Sequence, residues 1–592
     1  MNRLTSLLFV LYPFFSSINA AEENTTLPTL IVTATRTPQT IDNSFASVTV
    51  ISREEIANSQ ALTLPEILRT VPGLDIVTNG GLGKPTSVFM RGTESDHVLV
   101  LVDGVKIGSA TVGSVAFEHL PLSQIERIEI VRGPRSSLYG SEAIGGVIQI
   151  FTRKGEGIEA SVGMGDDASY HVTAGLSGAS KENWYSIHAS HLQTEGFNDC
   201  QANRNGGCFT VEPDDDAYDN SSVTAKLGHR FGDSVTIEAN AMQAQGYTEY
   251  DSSFNNQADF VQQVFGIKAD YVANDRWQIN LSAGSSRDEL DNFGNNAPKS
   301  FFHTSRTSIN FTNNILFSNE KILTVGYDYQ KDEVDSSTQY LVDSRDNQGV
   351  FVEYQTQWAS IGLRNDDNEQ FGDHTTGNIA LAYAFNPNTR FMLSYGTAFK
   401  APTFNELYFP NFGTPELEPE ESESVEIGLM TTQADSQWSL SAYHTKIDKL
   451  IATNFDAGNF FADNINKAKI SGVDGSFNWH NKAGWEFRLS GSWLNDALPR
   501  RAQKTINIEL ARKWKSARLG ISGLAQSHRY DDAANSQRLG GYGILNLTTE
   551  YNFNKHWTLQ ARVENVLDKE YEKVRFYNTP RQFWFVSLRY QY

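Results

Sequence analysis

The chain has 592 residues, of which 70 are acidic and 49 basic, so its formal net charge at pH 7 is −21. This acidic balance provides no overall positive surface for nucleic acid. Its 2 cysteines are too few for a disulfide scaffold or a cysteine-rich zinc site. Beyond the N-terminus there is no run of about 18 apolar residues, which excludes a helical membrane protein but leaves a membrane β-barrel open.

The N-terminus has the features of a secretory signal peptide over residues 1–20. An early arginine precedes an apolar run over 7–15, and small residues lead up to the predicted cleavage site after residue 20. A short buried helix is the alternative, but Pro13 would break it. The mature chain is therefore expected in an oxidising compartment, where Cys200 and Cys208 can pair.

Residues 36–153 have the pattern of a compact α/β module. Capping boxes predict two helix starts, one from Ser52 to Glu55 and one from Thr63 to Glu66. The second helix has Pro65 in its first turn and is predicted to bury four apolar side chains, Leu64, Ile67, Leu68 and Val71. Strand-like runs follow at 87–90, 98–102, 125–131 and 146–151.

Residues 155–592 alternate between apolar and polar positions in many short segments. Odd positions are apolar and even positions polar in 557–564, and 586–592 repeat the alternation. The stretch is too long for one soluble sandwich, and aromatic residues at strand ends, such as 583–585, suit interfacial girdles. We therefore predict a transmembrane β-barrel of about 22 antiparallel strands, with the module at 36–153 as a plug inside its lumen.

Several longer motifs resemble those of the TonB-dependent outer-membrane receptors. They lie at 128–134 and 138–147 in the predicted plug and at 399–408 and 565–571 in the predicted barrel. A segment after the signal peptide is similar to the family's TonB box and consists of Thr29, Leu30, Ile31, Val32, Thr33, Ala34 and Thr35. Taken alone, this segment fits an ordinary edge strand equally well. The resemblance covers essentially the whole mature chain.

The resemblance implies active transport across the outer membrane of a Gram-negative bacterium. Within the family, the motifs at 79–81, 91–93 and 97–101 are most similar to those of the vitamin B12 (cobalamin) transporters. The implied substrate is cobalamin or a related corrinoid, and a ferric siderophore or another metal chelate is the alternative. Energy would come from the inner-membrane proton-motive force through TonB, which would pair with the exposed backbone of residues 29–35.

An acidic run at 212–216 is followed by further acidic residues near 250. Clustered carboxylates repel one another unless water or a cation separates them, and calcium takes six to eight oxygen ligands. Spacing alone favours a solvated acidic loop. The resemblance instead implies two bound calcium ions, whose ligands would be Asn198 or Asp199, Glu212, Asp214, Asp216, Tyr250, Asp251 and Asp259.

The resemblance also implies a set of substrate contacts on two plug loops, 82–87 and 110–114, and on the barrel. The plug residues are Pro85, Ser87, Glu94, Val112 and Gly113, and the barrel residues are Ser252, Ser300 and Arg500. Four of these residues, Pro85, Glu94, Gly113 and Ser252, differ in type from their family counterparts. Ala534 stands where the family has a contacting tyrosine, which keeps a related corrinoid open as substrate.

A Cys200–Cys208 disulfide would close a short loop and stiffen the approach to the acidic run, and two free thiols are the alternative. An outer-membrane barrel enzyme would need a histidine with serine or acidic partners at its rim and no plug. A porin or adhesin would lack the segment at 29–35. We therefore expect a monomeric, non-enzymatic transporter surrounded by outer-membrane lipid, whose exposed loops are candidate attachment sites for phages or toxins.

Overall fold

The computed structural model describes residues 30–31, 34–204, 206–318, 321–456, 459–495 and 497–592. The predicted signal peptide over 1–20 lies outside these residues. Within them, no helix is long and apolar enough to cross a membrane.

An N-terminal module precedes the barrel and is built on a five-stranded sheet. The sheet has the order β3-β8-β9-β6-β7, in which β6 and β9 run parallel, and β4 pairs with β5 separately. Its strands are β1 (Leu30–Ile31), β2 (Gln39–Thr40), β3 (Val48–Ile51), β4 (Leu74–Thr78), β5 (Thr86–Met90), β6 (Val98–Val102), β7 (Val105–Lys106), β8 (Ile125–Arg132) and β9 (Gly146–Thr152). Its α-helices are α1 (Arg53–Ser59), α2 (Leu64–Leu68) and α3 (Ser136–Tyr139), and its 3-10 turns are Ile41–Asn43, Ser95–His97, Phe117–His119 and Leu122–Gln124.

The two predicted capping boxes have different outcomes. Ser52 and Glu55 form the reciprocal hydrogen bonds at the start of α1. Thr63 makes no side-chain cap to α2, and Glu66 instead accepts the Leu62 N–H at 3.0 Å and pairs with Arg562 of the barrel at 2.9 Å. The prediction of the second box was wrong because a buried arginine outcompetes the cap for this carboxylate. The four apolar side chains predicted to be buried by α2 do lie in the module's core.

The described part of the barrel is one closed antiparallel sheet of 22 strands, which confirms the predicted fold class. Its last strand pairs with its first, so no sheet edge is left open. The strands are β10 (Gly157–Gly165), β11 (Tyr170–Ala179), β12 (Asn183–Thr194), β13 (Tyr218–Phe231), β14 (Val235–Glu249), β15 (Gln257–Asn274), β16 (Trp277–Gly294), β17 (Ala297–Ser318), β18 (Lys321–Ser336), β19 (Ser344–Gln355), β20 (Ala359–Asn368), β21 (Gly372–Asn386), β22 (Thr389–Lys400), β23 (Glu420–Thr432), β24 (Ser436–Asp456), β25 (Asn459–His480), β26 (Trp485–Asn495), β27 (Lys504–Lys513), β28 (Ala517–Gln526), β31 (Tyr542–Asn552), β32 (Trp557–Glu564) and β33 (Phe583–Gln591).

The loops at the two ends of the barrel differ greatly in length. One end has short turns, and the other has long connections that include 195–217, 565–582, helix α4 (Phe404–Tyr408) and the hairpin of β29 (Arg529–Tyr530) and β30 (Arg538–Leu539). In outer-membrane barrels the long loops are extracellular. The end of the barrel with the long connections is therefore the extracellular end.

The outer face of the barrel is apolar and the inner face polar, because side chains alternate along each strand. Val162 and Leu227 are more than half exposed on the outside, whereas Ser186 and Lys226 are buried against the plug side. The aromatic girdle needs one correction. Trp584 faces outward, but Phe583 and Phe585 turn inward and pack with Leu62 of the plug.

The plug is tied to the barrel wall inside the lumen by what we call the interior ion-pair cluster, Arg91, Glu426 and Asp474. Arg91 donates two hydrogen bonds to Glu426, at 2.9 and 2.8 Å, and one to Asp474 at 2.9 Å. Its guanidinium also lies 4.4 Å from the centre of the Tyr443 ring. All three charged side chains are at most 9% exposed, so the charge of the arginine is neutralised within the protein.

Candidate functional site

The candidate cation ligands gather around what we call the acidic loop, residues 195–217 between β12 and β13. A disulfide joins Cys200 and Cys208, with the two Cα atoms 6.4 Å apart. The loop lies against the loop at 565–582, since Asn578 donates its side-chain Nδ2–H to the Asn198 carbonyl and its backbone N–H to the Asp199 carbonyl, both at 2.8 Å. The acidic run is thereby held at the extracellular rim, above the plug.

Three buried carboxylates form the centre of this region. Asp199, Asp216 and Asp251 are each at most 6% exposed. Asp216 Oδ2 accepts the Asp199 N–H at 2.7 Å, and Asp251 Oδ2 accepts the Cys200 N–H at 3.2 Å. The backbone of 199–200 therefore links the carboxylates of Asp216 and Asp251.

The environment of these carboxylates favours their neutral forms. Burial raises the pKa of Asp199 to about 8, although the nearby Lys84 ammonium lowers it. Burial also raises the pKa of Asp216 to about 6. Burial and neighbouring negative charges, Asp216 first, raise the pKa of Asp251 to about 7. Bringing the three groups together as anions is costly unless a cation joins them.

Two of these carboxylates have a buried oxygen without a hydrogen-bond partner, and that of Asp199, Oδ2, lies 3.4 Å from the Lys84 ammonium. The other belongs to Asp251. Asp251 Oδ1 is buried and has no hydrogen-bond partner. Negative charge from Glu212 and Asp214 also reaches Asp251. Hard oxygen donors of this kind suit calcium. The sulfur atoms of Cys200 and Cys208 lie within 4.8 Å of an Asp251 oxygen, but they are joined in the disulfide and are not available as thiolate ligands.

The remaining candidate ligands are less uniformly placed. Glu212 and Tyr250 are half-buried and Asp214 is exposed beside the cluster. Asn198 uses its side chain within the loop, because its Nδ2 donates to the Glu212 carbonyl at 2.7 Å and its Oδ1 accepts the Cys200 N–H at 3.1 Å. Asp259 is exposed on β15 between two buried residues, so its side chain lies on the opposite, outer face of the barrel wall.

The first candidate substrate loop, 82–87, has one exposed residue. Pro85 is exposed, and its carbonyl accepts the Asn79 N–H at 3.1 Å. Ser87 is half-buried on β5, and the next residue, Val88, donates its N–H to Ser95 Oγ at 3.1 Å. The loop is therefore braced from both sides within the plug.

The second candidate loop, 110–114, is held by the barrel. Ala110 donates its N–H to Thr304 Oγ1 at 3.0 Å and accepts the Phe404 N–H, from the start of α4, at 3.2 Å. Val112 is 52% exposed at the tip. Gly113 adopts a φ of +75°, and a Cβ there would lie 2.8 Å from Thr403, so glycine is required for this close approach.

The other substrate candidates are spread around the rim. Glu94 forms an ion pair with Arg501, whereas Arg500 is 43% exposed and pairs with Asp531 at 2.8 Å. Ser252 is half-buried in the loop that follows Asp251.

Ser300 accepts a hydrogen bond from Asn292 at 3.2 Å, and Asn292 in turn accepts one from the Tyr250 hydroxyl at 3.1 Å. A candidate substrate contact is thus connected to a candidate cation ligand. Sequence reasoning missed three residues that build this rim, Asn292, Arg501 and Lys84. Lys84 lies within a loop already identified, but nothing in the local pattern indicates where its side chain points.

The TonB-box candidate is only partly described. Leu30 and Ile31 pair with Gln39 and Thr40 in a short antiparallel ladder. The chain that follows is anchored to the barrel, because Arg36 makes two hydrogen bonds to Asp328, at 2.7 and 3.0 Å. Among the other members, Ala34 and Thr35 are buried, and Thr29, Val32 and Thr33 lie outside the described residues.

Two family models match this chain over most of its length. Residues 161–566 match the TonB dependent receptor-like β-barrel and residues 40–147 match the TonB-dependent receptor plug domain. The chain belongs to the TonB-dependent receptor family. This receptor is therefore a Gram-negative outer-membrane protein of a transport family rather than an enzyme, and it binds a substrate and interacts with TonB.

Named relatives and solved structures agree on the architecture. The chain is 34% identical to the vitamin B12 transporter BtuB of Photobacterium profundum, over 98% of this chain and 97% of the relative. It is 30% identical to BtuB of Vibrio vulnificus, over 97% of both. A mutant of the ferric enterobactin receptor PfeA from Pseudomonas aeruginosa has a TM-score of 0.80 at 18% identity, over 95% of this chain and all of that one. The siderophore receptor PiuA from Acinetobacter baumannii has a TM-score of 0.79 at 16% identity, over 94% and 98%. At such low identity the structural likeness shows the fold alone.

Proposed function

We propose that this receptor carries cobalamin, or a related corrinoid, across the outer membrane into the periplasm. The observation that carries the proposal is the alignment with vitamin B12 transporters over nearly the full length of both chains. The two candidate plug loops support the proposal, because Gly83 packs against Tyr218 at the end of the acidic loop and Ala110 accepts the Phe404 N–H at the start of α4. The changed residue types at Pro85, Glu94, Gly113 and Ser252 are the reason to keep other corrinoids within the proposal.

Calcium is the proposed cation of the acidic loop. Its ligands would be Glu212, Asp214, Asp216, Tyr250 and Asp251 together with Asn198 or Asp199, and the unpartnered Asp251 oxygen supports this assignment. When bound, the ion would supply the positive charge that lets the carboxylates ionise together. The chain's own part is to bring the carboxylates to one place through the Cys200–Cys208 disulfide and the contact with Asn578, so that the loop is ordered before substrate arrives.

Residues 29–35 are the proposed TonB box. TonB would add a strand to this segment and transmit work from the proton-motive force of the inner membrane. Leu30 and Ile31 pair with Gln39 and Thr40, and the Arg36–Asp328 contact holds the chain that follows at the barrel. Release of these contacts is then the step that exposes the backbone.

Two separate binding titrations test the substrate. Purified receptor in detergent is titrated with cyanocobalamin and, separately, with a ferric siderophore, and the intrinsic fluorescence of the receptor reports binding. We expect saturable binding of cyanocobalamin only. Binding of the siderophore without cyanocobalamin would replace the proposed substrate by a metal chelate.

A single substitution tests the TonB box while keeping the remaining chain intact. Ile31→Pro removes a backbone N–H and should abolish cobalamin uptake by cells while surface binding persists. Ile31→Ala is the matched control and should keep most uptake, because strand addition recognises the backbone. Equal uptake by both variants would contradict this assignment.

A further inference from the structure

Lys84 belongs to the candidate substrate loop at 82–87, yet its side chain points down into the barrel rim. It is 1% exposed. Its ammonium nitrogen is surrounded by five oxygen atoms, namely the carbonyls of Asp216 at 3.0 Å, Leu82 at 3.3 Å and Ala217 at 3.3 Å, Thr248 Oγ1 at 3.4 Å and Asp199 Oδ2 at 3.4 Å. These oxygens come from the plug, from both ends of the acidic loop and from β14.

This arrangement has the character of a cation site that is filled by a side chain. A cage of carbonyl, hydroxyl and carboxylate oxygens is the donor set that calcium takes, at about 2.3–2.6 Å. The observed separations are instead those of ammonium hydrogen bonds and ion pairs. The positive charge at this position is therefore part of the chain.

The backbone before Lys84 is shaped for this insertion. Gly83 has a φ of +75°, and a Cβ there would lie 2.0 Å from the ring of Tyr218. Only glycine allows the loop to approach the barrel so closely. The loop is thus pressed onto the base of the acidic loop, which directs the lysine stem between Asp199 and Asp216.

Asp199 and Asp251 consequently differ in how much each would be stabilised by an added positive charge. Asp199 Oδ2 also has no hydrogen-bond partner, but it lies 3.4 Å from the Lys84 ammonium in an ion pair, and Asp199 Oδ1 accepts the Gly81 N–H at 2.6 Å. No ion pair to Asp251 is found among the described residues. Asp251 has an oxygen without a hydrogen-bond partner and receives negative charge from Glu212 and Asp214. A cation from solution gains more at Asp251 than at Asp199, because the ammonium repels a second positive charge.

We propose that the Lys84 ammonium is a permanent cation of the acidic loop, supplied by the plug. It supplies the positive charge at Asp199 from the plug, confines calcium to the side of Glu212, Asp214 and Asp251, and holds the substrate loop on the acidic loop without metal at Asp199. Lys84 is in this sense a positioning residue. The inference rests on the proposed calcium site and changes which carboxylates belong to it.

Calcium titration of the full-length receptor tests the inference without using any substrate. The receptor is stripped with a chelator in detergent, and calorimetry measures the stoichiometry and affinity of calcium. Lys84→Gln should bind one more equivalent of calcium, or bind it at least about tenfold more tightly, because a like charge is removed. Lys106→Gln is the matched control, since Lys106 is another plug lysine that contacts the barrel, through Gln330 at 3.1 Å. It should titrate like the unmodified receptor.

A second pair of variants keeps Lys84 in place and covers the case in which Lys84→Gln does not fold. Asp199→Asn should change calcium affinity by less than about threefold, whereas Asp251→Asn should weaken it by at least about tenfold. Equal weakening by both variants, or unchanged titration of folded Lys84→Gln, would overturn the inference alone. An unmodified receptor that binds no calcium would overturn both the proposed calcium site and the inference.

Discussion

The plug meets the barrel through charged groups in two regions that balance their charges in different ways. In the interior ion-pair cluster, Arg91 hydrogen-bonds both Glu426 and Asp474. At the extracellular rim, Asp199, Asp216 and Asp251 lie near one another, and the Lys84 ammonium contacts the Asp199 carboxylate and the Asp216 backbone carbonyl. Both regions are buried. In the interior, both carboxylates pair with Arg91, whereas at the rim the Asp251 carboxylate has no basic partner among the described residues. We therefore expect the rim, and not the interior, to take up a cation from solution.

We expect the largest effect from removing Arg91, the cation of the interior ion-pair cluster. Arg91→Met leaves two buried carboxylates without their partner, which typically costs about 3–5 kcal/mol. Hydrogen exchange of plug amides in the purified receptor measures the loss. Arg581→Met is the control, because Arg581 pairs with Asp568 and Glu570 on the exposed surface, and its exchange should be unchanged. Similar exchange in both variants would show that the interior cluster does not hold the plug.

At the rim, removing the charge of one carboxylate should weaken substrate binding rather than destabilise the fold. Asp251→Asn removes charge beside the unpartnered oxygen and should lower cyanocobalamin affinity about tenfold at limiting calcium. Asp215→Asn, an exposed change of the same type in the same acidic run, is the control and should bind nearly as well as the unmodified chain. If the two variants bind equally, the acidic loop does not order the substrate site.

Calcium binding and stability at the rim should also depend on pH. The pKa values of Asp251 and Asp216 are raised to about 7 and about 6 in the folded receptor, so protons compete with calcium at these two proposed ligands. Calcium affinity should fall as pH decreases from about 8 to 6. The calcium-free rim binds more protons folded than unfolded, so its stability should decrease as pH rises from about 4 to 8. Calorimetry across this range checks both slopes, and a calcium affinity independent of pH would contradict them.

Removing the disulfide should have the smallest effect. Replacing Cys200 and Cys208 by alanine frees the acidic loop at one point, but the Asn578 hydrogen bonds to Asn198 and Asp199 remain. We expect calcium affinity to fall by no more than about threefold, since the loop stays docked. Reduced and oxidised receptor compared in the same titration give the control. A loss as large as that of Asp251→Asn would make the disulfide the main organiser of the rim.

The positions of many rim residues in the chain could be predicted from the sequence, but the contacts that these residues make could not. The acidic run and the cysteine pair are adjacent in the chain and were found together. The outward position of Asp259 depends on which face of β15 meets the lumen. Lys84 and Asp216 are 132 residues apart, and no local pattern connects them.

The barrel, the plug and their order could be predicted from the sequence alone, because alternation and turn motifs are local properties of the chain. The tertiary structure decided which charges meet. Glu66 leaves its helix cap for Arg562, which is 496 residues away, and Phe583 and Phe585 turn to the plug because barrel closure sets the facing of the last strand. The physical reason is that burial makes a charge depend on its nearest partner, and only the closed barrel brings those partners together.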